Sequence, residues 1–428
     1  MMLKAPLYNA VIGYGEKKNI RFHMPSHFID DGKVFLSSKY DLTELEGLDN
    51  LMEPNGVIKE AQELLAETYS SGATYILTGG ASEGVMIALY LASKRSKNVI
   101  IESTAHVSVY NAIKLFDLEP IIIKTKYDND GLPLPVERGE ITARIGEYPD
   151  ASVVVTSPNY FGRVFNGTGL KDVVKGLLIV DGAHGAHFPF SKRFPVGGYE
   201  WADLTVCGMH KTLPCYTGSA LLNVRDRAFA DEVNEARRIF QSTSPSYLMM
   251  ASIDYARAYM KEYGEELYGS LYRAVEPFTR RYTDDFTRLV IDGGNGYELE
   301  RYLASLGINC EFSFGRHAVL ITKPHDEKNL AKLAKTLKEF KPKSEADVMH
   351  NFGAKSAINY LSAVNAQSES VTVDDAVGRI SAVNVGMYPP ASPVIIAGEV
   401  ITKEQTEFIK KQRYGVFGLA RNTLRVVK

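Results

Sequence analysis

Two neighbouring stretches, GLLIVDGAHGAH (176–187) and DLTVCGMHKT (203–212), decide how this chain is read. Each is a short apolar run with polar residues at its carboxyl end: Asp181 in the first, the His210–Lys211 pair just beyond the second. Continuous Val/Ile/Leu runs without alternation belong to strands buried on both faces. Outward from them, similar runs recur at TYILT (74–78), NVIIES (98–103), PIIIKT (120–125) and SVVVTS (152–157). Residues 57–69, 82–93 and 107–116 carry apolar positions at helical spacing, and the stretch after Gly167 is also expected to be helical. This alternation predicts an α/β fold whose sheet is mostly parallel and covered on both faces. GSALLNV (218–224) is expected to join it as an antiparallel addition.

The pattern changes further along the chain. A long helical region from Tyr247 to Arg281 precedes strands at INCEFSF (308–314) and HAVLITK (317–323) and a Lys-rich amphipathic helix over 325–341. The expected organisation is an arm over 1–40, a large domain over 41–265 and a smaller α+β domain over 266–428. A chain of 428 residues exceeds what one hydrophobic core serves, in line with that division.

Composition excludes several classes of function. Lys and Arg total 49 against 51 Asp and Glu, so no basic field exists to hold a nucleic-acid backbone. The three cysteines, Cys207, Cys215 and Cys310, have no paired spacing, which fits neither a disulfide framework nor a zinc knuckle. No apolar run approaches the roughly 20 residues that span a bilayer, and the first residues lack a secretory pattern. A cytoplasmic protein without membrane partners is expected.

Ligands of an open α/β sheet bind at the carboxyl ends of its strands, and four polar clusters fall at such ends. Thr78–Gly84, TGGASEG, leads from a strand into a helix; its small residues and free N–H groups suit an anion, although standing alone the stretch reads more readily as a plain helix cap after a glycine turn. Asp181, at a buried strand end, needs a cationic partner: a protonated ring nitrogen, a metal or a structural ion pair. The His184/His187 spacing lacks a third ligand, so no metal is expected. Lys211 at a strand end in apolar surroundings would have the lowered pKa of a Schiff-base lysine, against the commoner solvated surface lysine. His106, beyond NVIIE, could stack on a planar ring or satisfy local backbone groups.

In order along the chain, these clusters resemble the fold-type-I enzymes of the ornithine/lysine/arginine decarboxylase family, which use pyridoxal 5′-phosphate (PLP). The likeness covers DLTELEGLDNLMEPNGVIKEAQELLAE (41–67), GGASEG (79–84), ESTAHVSVYNAI (102–113), TSPNYFGRVFN (156–166), VDGAHGAHF (180–188), GMHKTLP (208–214), QSTSPSY (241–247) and MYPPASPVIIAGEVI (387–401). It is the short form, without a wing domain. The resemblance implies a transferase-like fold in which Lys211 forms the Schiff base with PLP, Asp181 pairs with the pyridinium nitrogen and His106 stacks on the ring. Ser82, the Ala81 amide and His210 would hold the phosphate, with His184 near the ring. Glu399 would hold the substrate's distal cation, and Ser242 and Thr243 would reach the site across a homodimer interface.

Several positions depart from the family pattern. Gly208 stands where a phosphate-binding serine is usual, Met209 for threonine and Gly182 for an acidic residue; Ser26 and Ala397 replace a glycine and a proline. The resemblance implies decarboxylation of arginine, lysine or ornithine to its amine and CO2. The alternatives are another PLP reaction on the same fold (transamination, aldol cleavage or elimination) and a PLP-binding pseudo-enzyme that regulates an active partner.

Overall fold

The computed structural model describes residues 20–22, 42–278, 281–388, 392–412 and 415–428. Strand β1 (Ile20–Phe22) is all that is described before residue 42, so the rest of the expected arm and the motif containing Ser26 lie outside the described residues. From α1 (Val57–Thr68) onward, strands and helices alternate. They are β2 (Ala73–Leu77), α2 (Gly80–Ser93), β3 (Asn98–Glu102), α3 (Val107–Leu115), β4 (Glu119–Ile123), α4 (Arg138–Glu147) and β5 (Ser152–Thr156). β6 (Leu178–Asp181), β7 (Leu204–Cys207), the single turn α5 (Met209–Thr212) and β8 (Ala220–Val224) follow.

Seven of these strands form one sheet in the order β2-β8-β7-β6-β5-β3-β4. Strands β3 to β7 pair in parallel, while β8 runs antiparallel to both neighbours, β2 and β7. The antiparallel strand expected at 218–224 is therefore an interior strand. Successive residues serve opposite faces of the sheet. Ile76 and Leu221 pack with Tyr69, Met250 and Ile253 on one side, while Leu77 and Leu222 pack with Val85 and Leu89 on the other. Burial on both faces is the reason the strands read as unbroken apolar runs.

Two local expectations need correction. The stretch after Gly167 forms turns rather than a helix: Gly169 takes a positive φ (75°), and Leu170 and Val174 are the residues it sends into the core. The helical region from Tyr247 is α6's successor. Helix α6 spans Ala230–Phe240, and α7 spans Tyr247–Ala274, ending three residues before Pro277, which cannot continue a helix.

Helix α7 runs through residue 265, and beyond it lie smaller sheets. β9 (Arg288–Asp292), β11 (Phe312–Phe314) and β12 (His317–Ile321) form one antiparallel sheet, in the order β11-β12-β9, while β10 (Ile308–Cys310) pairs with β1. The aromatic residues Phe312 and Phe314 meet Phe161 from the loop after β5, with ring centroids 5.5 and 5.6 Å apart, so this unit packs directly over the carboxyl edge of the main sheet.

Candidate active site

A parallel sheet carries the carboxyl ends of its strands along one edge, and a convergence of polar side chains lies there. A cavity of about 230 Å³ is lined by residues from the ends of β2, β3, β5, β6 and β7, among them Ala81, Ser82, His106, Asp181, His184, His210 and Lys211. Seven of the ten residues singled out from the sequence thus share one space.

Each is positioned by its element. Gly80, with φ at 76°, turns the chain from β2 into α2, so the first-turn amides at Ala81 and Ser82 face the cavity with the positive end of the helix. Glu83 accepts from the Gly79 amide (2.6 Å), and burial pushes its carboxyl up to about 7. His106 caps α3: its Nδ1 accepts from the Ser108 amide at 3.2 Å, which fixes the ring plane at the cavity wall. Burial lowers the His106 pKa; Asp181 opposes that shift and Lys211 adds to it.

Asp181 ends β6 almost fully buried (5% exposed), and its Oδ1 accepts from the Ala183 amide at 3.2 Å. Next to it in register is Thr156, whose amide donates to Glu102 Oε1 at 2.7 Å. Burial, with Asp181 nearby, raises the Glu102 carboxyl to about 7. Glu102 therefore keeps its proton to a higher pH than an ordinary carboxyl, which limits a second negative charge beside Asp181.

Lys211 lies on α5. Its Nζ is 3.0 Å from His184 Nε2 and 5.5 Å from the centre of the Tyr160 ring. Burial lowers its pKa, while Asp181 and Glu311 pull it back up. His210 Nδ1 lies 3.1 Å from the Ser219 carbonyl, to which it donates. Gly208 is needed where it stands: a Cβ there would lie 2.7 Å from the Ala183 carbonyl oxygen and 3.3 Å from Lys211 Cδ. The departure from serine at this position lets the β7–α5 turn run close under the 181–184 loop.

The other three residues lie elsewhere. Glu399, 1% exposed, is outside the cavity lining; it ion-pairs with Lys124, and its Oε2 accepts from the Ile396 amide at 3.0 Å. Ser242 and Thr243 are exposed in the loop between α6 and α7, with Ser242 Oγ accepting from the Ser244 amide at 3.2 Å. Sequence reasoning passed over Tyr160, Asn159, Thr104 and Glu102. The first two belong to TSPNYFG, whose polar residues invited attention but whose partners are distant in the chain.

PLP needs an amine, a carboxylate for its ring nitrogen, a ring surface and donors for its phosphate. Lys211, Asp181, His106 and the α2 N-terminus with Ser82 supply that set around one cavity, so the residues fit the group.

Fold and site together define a fold-type-I PLP-enzyme architecture, and known structures share it. The Escherichia coli constitutive lysine decarboxylase matches with a TM-score of 0.76 at 18% identity, over 99% of this chain and 82% of its own. A Bacillus subtilis ureidoglycine-glyoxylate aminotransferase matches at 0.57 and 16%, over 75% of this chain and 93% of its own. The family models "Orn/Lys/Arg decarboxylase, major domain" and "Orn/Lys/Arg decarboxylase, C-terminal domain" match residues 5–282 and 343–414. The chain belongs to the Orn/Lys/Arg decarboxylase family and is a decarboxylase. Relatives include the uncharacterized Bacillus subtilis protein YaaO, 32% identical over 96% of this chain and 94% of its own length. An arginine decarboxylase of the same organism is 28% identical over 95% and 93%, and the inducible lysine decarboxylase of Escherichia coli K12 is 25% identical over 63% and 42%. No described helix is long and apolar enough to cross a membrane.

Proposed function

We propose that this chain binds PLP at Lys211 and removes the α-carboxylate of arginine, lysine or ornithine as CO2, leaving the amine. The observation that supports this most is the convergence of Lys211, Asp181 and His106 with the α2 N-terminus on one cavity. Bound PLP would supply an aldehyde for amines and a ring that accepts the electron pair left when CO2 departs.

The chain's own residues do the rest. Asp181, buried and negatively charged, stabilises a proton on a cationic ring nitrogen and so favours electron flow into the ring. Ser82, the Ala81 amide and His210 hold a phosphate at the helix N-terminus, and His106 covers one face of the ring. Lys211 and His184, in contact at 3.0 Å, form a pair that would carry a proton to or from bound substrate. Glu399 would receive a distal cation with Lys124 displaced, and Ser242 and Thr243 would act across a homodimer interface. On this reading the large unit spans 41–265 and the smaller one 266–428.

The deciding experiment measures CO2 release by PLP-loaded protein from arginine, lysine and ornithine separately. Release from one of them establishes the reaction and ranks the substrates. PLP held at Lys211 without CO2 from any would refute basic amino-acid decarboxylation and favour another PLP reaction or a regulatory pseudo-enzyme.

A further inference from the structure

Beneath the cavity runs a chain of buried polar side chains that reaches from β9 to Lys211. Arg288, the first residue of β9, is completely buried, as is Asp285. Arg288 Nη1 lies 3.8 Å from Asp285 Oδ2 and donates to Thr287 Oγ1 at 3.1 Å. Asp285 is held in turn: its Oδ1 accepts from the Thr287 amide (2.9 Å) and hydroxyl (2.7 Å), and its Oδ2 sits 3.2 Å from His187 Nε2. From the other end of the guanidinium, Nη2 reaches His184 at two points, 3.5 Å from Nδ1 and 3.4 Å from the carbonyl oxygen.

A guanidinium carries only donors and keeps its charge. Toward His184 Nδ1 it can therefore present only N–H, and Nδ1 must present its lone pair. Burial, with Lys211 and Arg288 nearby, depresses the His184 pKa strongly, so the ring is neutral and carries its one proton on Nε2. That Nε2 is the atom 3.0 Å from Lys211 Nζ. An ammonium at Lys211 would oppose N–H to N–H, whereas an uncharged amine accepts the His184 proton.

We propose that Arg288 is a positioning residue: it fixes the tautomer of His184 and thereby holds Lys211 as the uncharged amine able to capture an aldehyde. This rests on Lys211 being the cofactor lysine. The other charges around the pair define what Arg288 opposes. Asp181 from β6 and Glu311 from between β10 and β11 both favour the ammonium form of Lys211. His106 and His210 face His184 and disfavour a charge on it, and the Tyr160 ring closes over both, 4.2 Å from the His184 ring centre. Without Arg288, His184 is free to turn its lone pair to Lys211, and the two carboxylates then favour the ammonium.

The test follows covalent capture of PLP by cofactor-free protein between pH 6 and pH 10, as growth of the visible absorbance band, with borohydride trapping to locate the attached residue. In wild type the capture rate is expected to reach its plateau at a pH below the ordinary lysine range. Arg288→Met should move the midpoint up by at least about one pH unit, slow capture about tenfold at pH values below both midpoints and recover the plateau at high pH, since only the uncharged amine reacts. Because the single change strands Asp285, the Asp285→Asn/Arg288→Met double variant supplies a second scaffold without a buried lone charge. A purely structural role lowers the rate equally at every pH, and an unmoved midpoint in folded variants that label Lys211 overturns the proposal while leaving the PLP assignment intact. Failure of wild type to capture PLP at Lys211 overturns both.

Discussion

Glu102 offers a test of the electrostatics at the carboxyl edge that needs no cofactor and no substrate. Its carboxyl, 6% exposed at the end of β3, has its pKa raised from 4.5 to about 7 by burial, with Asp181 nearby adding to the effect. Between those two values the unfolded chain has released a proton that the folded chain still holds, so rising pH favours unfolding. The contribution is fully present below 4.5 and is lost as pH rises through 7. At about 1.4 kcal/mol per tenfold in proton affinity, the complete loss is about 3 kcal/mol. Glu102→Gln keeps an acceptor for the Thr156 amide and cannot ionise, so it removes this dependence while preserving the bond. The stability of the variant relative to wild type should therefore rise by about 2–3 kcal/mol between pH 5 and pH 8.5. Glu83, raised in the same direction, is present in both proteins and cancels. Urea unfolding of cofactor-free protein reads the effect through Trp201, the one tryptophan, buried beside Phe165 at 5.8 Å. An equal gap at both pH values, or a gap that narrows with rising pH, would refute the account of a protonated Glu102.

Asp181→Asn should keep the fold and lower turnover by about 10²–10³-fold, the range for removing one preorganised charge or donor from a reacting centre; near-normal kcat in steady-state assays counts against its role. Gly208→Ser, which restores the residue usual in the family, should weaken PLP binding rather than strengthen it. Its Cβ would lie 2.7 Å from the Ala183 carbonyl, a steric conflict of about 1–3 kcal/mol, measurable in an absorbance titration. The active species should have twice the 47.4 kDa chain mass in light scattering, and an active monomer refutes the homodimer that Ser242 and Thr243 are proposed to complete.

The parts of this protein that the sequence discloses are those governed by burial alone. VVV in β5 and LIV in β6 announce strands covered on both faces, and once these are parallel, their carboxyl ends must share an edge, which brings Asp181, His106 and Lys211 together. Helix α4 escapes the same reading because only Ile141 and Ile145 of RGEITARIGE are buried, too few to set a period. The insertion of β8 between β2 and β7 depends on pairing across nearly 150 residues, from Leu77 to Ala220, which no local pattern encodes. Within the site, the legible residues are those whose chemistry is their own, a lysine or a carboxylate at a strand end. The illegible ones are defined by what they meet. Arg288 reads as the first residue of an ordinary strand until it is seen against His184, 104 positions earlier. Glu399 reads as a carboxylate awaiting a substrate cation until Lys124 is found beside it. Both cases have one cause: a motif specifies which group is offered, whereas its protonation and availability are set by partners from other elements. Reaction specificity in this fold depends on those same properties, so the identity of the substrate is decided by the least local features of the chain.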